Sequence, residues 1–377
     1  MSVKVSPESP KVPIPPPVPS SPAVLTSASW DRFWELVRTF DPDHARSDEL
    51  VKPMPGGAST RRYFRVALPT GPVVAMFVPD GPKPEEIDNA QAGHRWPFLE
   101  VRDLLSDANV PVPRILAEDT DAGWLILEDL GDDTLAEYLK REPSAKPALY
   151  TQAVRDLARA QQTLEALPEG CVVARRAFDE TLLRWEIEHF REWGVHARGF
   201  SFSPEDDAAF SAIADRLAQR VASYRRGFVH RDYQSRNIMV RTPPGKGAPS
   251  LVWIDFQDAL LGPRAYDLVA LLGDSYQEFD RPFIEARLDE FAEARGLSAS
   301  DRAELGHEFD YVTVQRKLKD AGRFVFIDRE KGNPSFLRFV TPTIKKVAHA
   351  LARLTTDPDM RALDALLRRA LPQDMAI

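Results

Sequence analysis

The stretch FVHRDYQSRNIMV, Phe228 to Val240, places Asp232 and Asn237 five residues apart and directly ahead of an apolar Ile-Met-Val. So much charge between apolar pairs would be costly in a core without partners or water. A third oxygen donor, Asp255, follows in LVWIDFQDA, at the end of an apolar run where a side chain can face a cleft. A carboxylate and an amide oxygen are hard ligands suited to Mg²⁺, which takes few protein ligands alongside phosphate oxygens. With Asn237 and Asp255 holding metal, Asp232 is free to accept a proton from a hydroxyl. One base and two metal ligands are the division of labour that moving a γ-phosphoryl group needs.

The elements that must position these residues change character along the chain. The opening MSVKVSPESPKVPIPPPVPSSP is rich in Pro and Ser, a composition that favours extended conformations and buries too little to fold, so residues 1–28 read as a disordered tail. Order is expected from Ser29, a candidate N-cap, with Trp30, Phe33, Leu36 and Val37 at helical spacing. Two β-rich runs, Tyr63–Leu68 and Val73–Val78, flank Pro69-Thr70-Gly71 and read as a hairpin. An amphipathic helix follows in PFLEVRDLLSDANV, then two more strands in PRILAED and GWLILEDL. Beyond Gly131 the apolar stripes are helical, interrupted by short strands at NIMVRT and LVWIDF. This predicts a small antiparallel β-rich lobe over 29–130 and a large, mainly helical lobe over 131–377, an α+β chain.

Bulk properties narrow the classes. The 377 residues are 43% hydrophobic and 28% charged, ordinary for a globular chain of about two domains. A net charge of −8 without a long basic run argues against nucleic acid or an anionic membrane as partner. The single cysteine, Cys171, permits neither an intrachain disulfide nor a multi-thiolate metal site, which suits the cytoplasm. No stretch reaches the ~18 apolar residues of a spanning helix.

The residues now carry a resemblance. HRDYQSRN fits the kinase catalytic-loop pattern H-R-D-x-x-x-x-N, and IDFQDA stands where kinases have D-F-G, with Gln257 in place of Gly. With GPRAYDLVALL just after, this resembles the aminoglycoside phosphotransferase and choline kinase branch of the protein-kinase-like fold. GGASTRRYFRV, WPFLEVRDLL, ILEDLGDDTL, LRWEIEHFREWGV and VQRKLKDAGRFVFI extend the likeness from Gly56 to Ile327. They bring it close to the subgroup of bacterial cell-wall recycling that phosphorylates N-acetylmuramate and N-acetylglucosamine at C1.

The resemblance implies a two-lobed, ATP- and Mg²⁺-dependent sugar kinase. Asp232 would be the catalytic base, with Asn237 and Asp255 holding Mg²⁺ and Asp258 as an extra acidic group. His230 would brace the loop, Arg236 would reach phosphate or the carboxylates, and Asp267 would anchor the loop through backbone N–H groups. Gly57, Ser59 and Thr60, in the Gly-Gly turn opened by Gly56, would cover phosphate, and adenine would lie against the crossover at Glu128–Leu130. The acceptor would be a small sugar, with Trp185 and Glu186 on its side of the helical lobe. Among Arg316, Lys317, Lys319 and Arg323, Arg316 is favoured to meet the lactyl carboxylate of N-acetylmuramate, since a desolvated carboxylate wants a charge-assisted partner.

One departure stands out. The strand VVAMFV carries Met76 where kinases have the lysine that holds phosphates, and no lysine follows until Lys83. Glu100 then lacks its expected ion-pair partner, and Arg61 or Arg62 is left to supply a cation. The departure keeps a nucleotide-binding pseudokinase open beside the enzyme. An aminoglycoside, choline or another small molecule remains open as the acceptor. The stripe Trp185, Phe190, Trp193 reads either as packing or as a sugar-stacking face.

Overall fold

A computed structural model describes residues 25–42, 46–55, 61–78, 95–242 and 248–377. The chain divides into two compact units, Met1–Asn89 with Leu116–Ile126, and Ala90–Ile115 with Leu127–Ile377. The expected phosphate-covering turn, Gly57, Ser59 and Thr60, lies outside the described residues, as do Lys83 and the tail before residue 25.

The first unit is built on a five-stranded sheet. Helix α1 (Ser27–Arg38) starts two residues ahead of the expected cap, because Thr26 rather than Ser29 caps it: the Thr26 hydroxyl accepts the Ser29 N–H. Strands β1 (Val51–Pro53), β2 (Arg62–Leu68), β3 (Gly71–Phe77), β4 (Ile115–Asp119) and β5 (Trp124–Glu128) assemble in the order β1-β2-β3-β5-β4. The β2–β3 hairpin is antiparallel, with Leu68 opposite Gly71. Period-two alternation turns Val73, Ala75 and Phe77 toward the core that α1 fills with Phe33, Trp34 and Val37. Trp124 binds this layer together, its ring 4.9 Å from that of Phe33 and its indole N–H donating to the Ser29 carbonyl at 2.9 Å. The one strand of this sheet that the sequence reading omits is β1, three residues long and exposed along most of its length.

Met76 falls on the other face of β3 and is fully buried. Its cross-strand partner is Tyr63, whereas Arg62 pairs with Phe77 on the α1 side. Of the two arginines considered for the missing lysine, alternation therefore gives Arg61, itself buried, to the face of Met76 and withholds Arg62 from it.

The second unit is helical around two small two-stranded sheets. Helix α2 (Pro97–Asp107) belongs to it, although the sequence places that helix inside the β-rich lobe. Packing explains the allegiance: Phe98 stacks on Phe256 at 5.0 Å, and Glu100 accepts the Val172 N–H. Then come α3 (Leu135–Arg141), α4 (Lys146–Thr163), α5 (Glu180–His189) and α6 (Pro204–Ser223). Strand β6 (Arg226–Val229) pairs with β9 (Leu260–Pro263), and β7 (Ile238–Arg241) with β8 (Ser250–Trp253), all antiparallel. Helices α7 (Ala265–Leu272), α8 (Arg281–Ala294), α9 (Ala299–Lys331), α10 (Val340–Leu351) and α11 (Pro358–Ala370) complete the unit.

Helix α5 runs directly into a π-helical turn, Phe190–Val195, a form that often marks functional sites. Helix α9 crosses this junction at Gly322 with almost no clearance. A Cβ there would lie 2.8 Å from the His189 carbonyl oxygen, so only glycine permits the approach. Among the described residues no helix is long and apolar enough to cross a membrane.

Candidate active site

The loop between β6 and β7 is held from beneath by two buried carboxylates. Asp267, in the first turn of α7, accepts the His230 N–H at 2.7 Å and the Arg231 N–H at 3.0 Å. Burial pushes this carboxyl up, to about 7, against the pull of the two N–H donors. Asp274, just past α7, accepts the Ser235 N–H at 2.9 Å and the Ser235 hydroxyl. Lys346 of α10 in turn donates to the carbonyls of Gly273, Asp274 and Gln277, fixing the segment that carries Asp274. The His230 ring is fully buried, 5.7 Å from the rings of both Tyr233 and Trp253. Burial lowers its pKa to about 4, so it is a neutral packing group.

This bracing holds Arg231 at φ +78°, a region that non-glycine residues seldom occupy. Asp255 is the other outlier here, at φ +64°, two residues beyond the end of β8 rather than within the strand. Such strain persists where the surroundings over-determine it, and two instances flank the loop residues in question.

The oxygens meet as follows. The Asn237 amide nitrogen donates to the Asp232 carbonyl at 2.9 Å and lies 3.4 Å from Asp255 Oδ2. With its nitrogen so engaged, the amide presents Oδ1 as its remaining donor atom to a cation. Gln257, in the position of the kinase glycine, donates its amide to Asp255 Oδ1 and Asp258 Oδ2, both at 3.0 Å. One carboxylate and one amide oxygen side by side form the sparse, hard donor set that fits Mg²⁺ with phosphate oxygens and water completing the shell.

Asp232 is about a third exposed, with its side chain at 36%. Burial alone would raise its carboxyl; the charges of Arg316, Lys319 and Arg231 outweigh that and hold it below the usual carboxylate value. The group is therefore ionised, as a proton acceptor must be.

The remaining expected site residues are distributed thus. Arg316 does not face outward: it is 2% exposed, donates to the Arg231 carbonyl at 2.8 Å, reaches Asp232 Oδ1 at 3.4 Å and lies over the Tyr266 ring. It is committed to the loop, which withdraws it from the lactyl-carboxylate role expected of it. Arg236 stacks 3.5 Å over the Tyr276 ring. Glu128 binds Arg114 and Arg241 through both side-chain oxygens, so its side chain is a brace; Leu130, two residues on, is half-buried. Glu100 has Arg175 at 3.9 Å where a lysine was expected. Trp185 is 54% exposed and stacks on His189, while Phe190 is fully buried, so only part of the aromatic stripe is core. Glu186 is fully buried and accepts from Gln315 at 2.8 Å.

Two features escaped sequence reasoning. One is Asp274, an acidic residue just after the apolar run of α7 with no spacing to mark it. The other is Asp320, which binds Lys317 at 2.9 Å and reaches Lys319 at 3.4 Å. The i, i+3 spacing of Lys317 and Asp320 in the sequence was the available signal.

Comparison with known proteins agrees with this geometry. The chain is 34% identical over 333 residues to the N-acetylmuramate/N-acetylglucosamine kinase of Pseudomonas aeruginosa, covering 86% of this chain and 89% of that protein. Among solved structures, Plasmodium vivax ethanolamine kinase superposes with a TM-score of 0.54 at 15% identity, over 85% of this chain and 86% of that one. The GDP and kanamycin complex of APH(2")-IIia superposes with a TM-score of 0.52 at 15% identity, over 85% and 99%. Both show the protein-kinase-like α+β fold. The family model described as the phosphotransferase enzyme family matches residues 50–305, and the chain belongs to that family.

Proposed function

We propose that this protein transfers the γ-phosphoryl group of ATP to the anomeric hydroxyl of N-acetylmuramate and N-acetylglucosamine, in cytoplasmic recovery of cell-wall sugars. One observation carries the phosphotransfer: ionised Asp232 on a doubly braced loop, with Asn237 and Asp255 side by side. The acceptor rests on the relative from Pseudomonas aeruginosa, whose name gives those two sugars.

Asp232 accepts a hydrogen bond from the sugar hydroxyl and takes its proton as the oxygen attacks phosphorus. Asn237 and Asp255 are the residues that would hold Mg²⁺. When bound, Mg²⁺ neutralises charge on the phosphate oxygens. The chain itself does little covalent chemistry; it positions the hydroxyl and compensates charge. Arg316, behind Asp232, fixes the base and keeps it deprotonated.

The test follows two products. ADP release together with loss of the sugar's reducing end is expected, because phosphate on C1 abolishes the reducing end and phosphate on C6 leaves it. ADP with reducing ends intact would overturn the regiochemistry. No ADP with either sugar would return a cationic acceptor or a pseudokinase to first place. Against a cationic acceptor stand Arg231, Arg316 and Lys319, whose charges are all felt at Asp232. A positive acceptor would meet repulsion where it reacts.

The metal site gives a second prediction. Gln257→Ala removes the amide donor that Asp255 and Asp258 share and loosens the hold on the Asp255 carboxylate. The Mg²⁺ concentration at half-maximal rate is expected to rise about tenfold or more. An unchanged Mg²⁺ requirement would show that Gln257 does not position Asp255.

A further inference from the structure

Beside the reacting residues stands a charged side chain with no counter-ion among the described residues. Arg236 belongs to the turn that joins the base to the metal ligand. In that turn the Gln234 N–H donates to the Asp232 carbonyl at 2.9 Å, and the Asn237 N–H to the Gln234 carbonyl at 2.8 Å. Among the described residues the Arg236 guanidinium makes no ion pair and no hydrogen bond. Its partners are rings: it lies 3.5 Å over the centre of Tyr276 and 5.8 Å from that of Phe339. The side chain is partly exposed and its nitrogens are not shut off from solvent, so its N–H donors stand open.

The arginine is held in place without being neutralised. Asp274 accepts the Ser235 N–H and hydroxyl on the loop side, and the Tyr276 N–H at 2.9 Å on the other. One carboxylate thus locks both the residue before Arg236 and the backbone of the ring beneath it. Lys346 fixes the same segment from α10. Phe339 meets Tyr276 edge-on at 4.8 Å, and Phe324 lies 6.0 Å from Phe339. Asp274 is occupied by its three donors, and Asp320 by Lys317 and Lys319, so neither serves Arg236. A guanidinium stacked on an aromatic face keeps its N–H edge free, and that edge can take a carboxylate through two bonds at once.

We propose that Arg236 binds the carboxylate of the acid-bearing sugar and so sets the preference for N-acetylmuramate over N-acetylglucosamine. The inference rests on the functional reading above and narrows it. N-Acetylmuramate carries its lactyl carboxylate on the C3 oxygen, within one sugar ring of the reacting C1 hydroxyl. Arg236 stands within one loop turn of Asp232. Arg316, first expected in this role, is committed beneath the loop. The rings favour a sugar carboxylate over phosphate. Tyr276 and Phe339 are both partly exposed beside the guanidinium. A phosphate clothed in Mg²⁺ and water gains nothing from aromatic surface, whereas the carbon skeleton of a sugar packs on it. N-Acetylglucosamine has no anionic group for Arg236 to bind.

The experiment measures kcat/KM for N-acetylmuramate, its methyl ester and N-acetylglucosamine in wild type, Arg236→Ala and Arg236→Lys. Ratios are used because any loss of folded protein cancels between substrates of one preparation. Wild type is expected to favour the acid over its ester, which keeps the skeleton and lacks the charge. In Arg236→Ala the acid-to-ester ratio and the N-acetylmuramate to N-acetylglucosamine ratio should each fall about ten- to a hundredfold, the range for a hydrogen bond to a charged group. The fall should appear mainly in KM for N-acetylmuramate. Arg236→Lys keeps the charge but loses the planar fork, so it should restore only part of both ratios. A wild type that treats acid and ester alike, or an Arg236→Ala that still separates them as wild type does, would overturn the inference. Equal losses on all three sugars would assign Arg236 to phosphate and overturn it too, while leaving the sugar kinase intact. A wild-type protein that phosphorylates neither N-acetylmuramate nor N-acetylglucosamine would overturn the functional reading, and this inference with it.

Discussion

Asp232→Asn is expected to lower kcat by about 10²–10⁴-fold, the usual worth of a positioned general base, while nucleotide affinity stays nearly unchanged. The substitution preserves shape and removes the lone pair that takes the sugar proton. It also leaves untouched what holds the loop. Asp267 still accepts the backbone N–H groups of His230 and Arg231, Asp274 still holds Ser235, and Asn237 bonds to the main-chain carbonyl of residue 232, not to its side chain. Turnover and a direct nucleotide-binding measurement on the same preparation check both halves. Full activity would remove Asp232 as the base. Joint loss of binding and turnover would make it structural. Because Arg316 and Lys319 hold the carboxyl below its ordinary value, Asp232 is ionised throughout the neutral range. A rate profile should therefore show no limb from this residue between about pH 6 and about pH 8, where a base poised near neutrality would titrate.

Asp320→Asn is expected to destabilise the fold by about 3–5 kcal/mol, the cost of stripping one partner from a buried charge pair. Lys317 and Arg316 are each 2% exposed, and Asp320 is the carboxylate beside both. Removing it leaves like charges facing one another without water. A urea titration at neutral pH measures the change; an unmoved midpoint would mean the cluster contributes nothing. Adding Lys317→Met should recover part of the loss, since it removes the stranded ammonium. The pH dependence has a definite sign. Lys317, Arg316 and Lys319 outweigh burial and hold the folded carboxyl far below its unfolded value of 3.8. The folded state therefore binds fewer protons than the unfolded one as the solution is acidified. The Asp320 contribution is full above the unfolded value and drains away as pH falls below it.

The legible parts of this chain were those carried by local pattern. Asp232, Asn237 and Asp255 could be singled out because spacing within one loop and one strand end is written directly in the sequence. The β2–β3 hairpin was readable from alternation about a Gly-containing turn, and the long helices from their apolar stripes. What failed depended on distant partners. Arg316 reads from the sequence as a cation for the acceptor's carboxylate, and only the fold shows that it lies under residues 231 and 232. Helix α2 reads as part of the β-rich lobe by position in the chain, yet Phe256 and Val172 claim it from far downstream. Strands β6 and β9 are four residues each and exist because they pair with one another, a fact that neither segment holds alone.

The crossing at Gly322 bears on how α5 and α9 can be packed together. Because α9 lies against the His189–Phe190 backbone with no room for even a methyl group, any side chain at 322 would force the two helices apart. Their relative placement is decided when the chain folds. A substitution at Gly322 would therefore act on the stretch of α5 that carries Trp185 and Glu186 without touching either side chain.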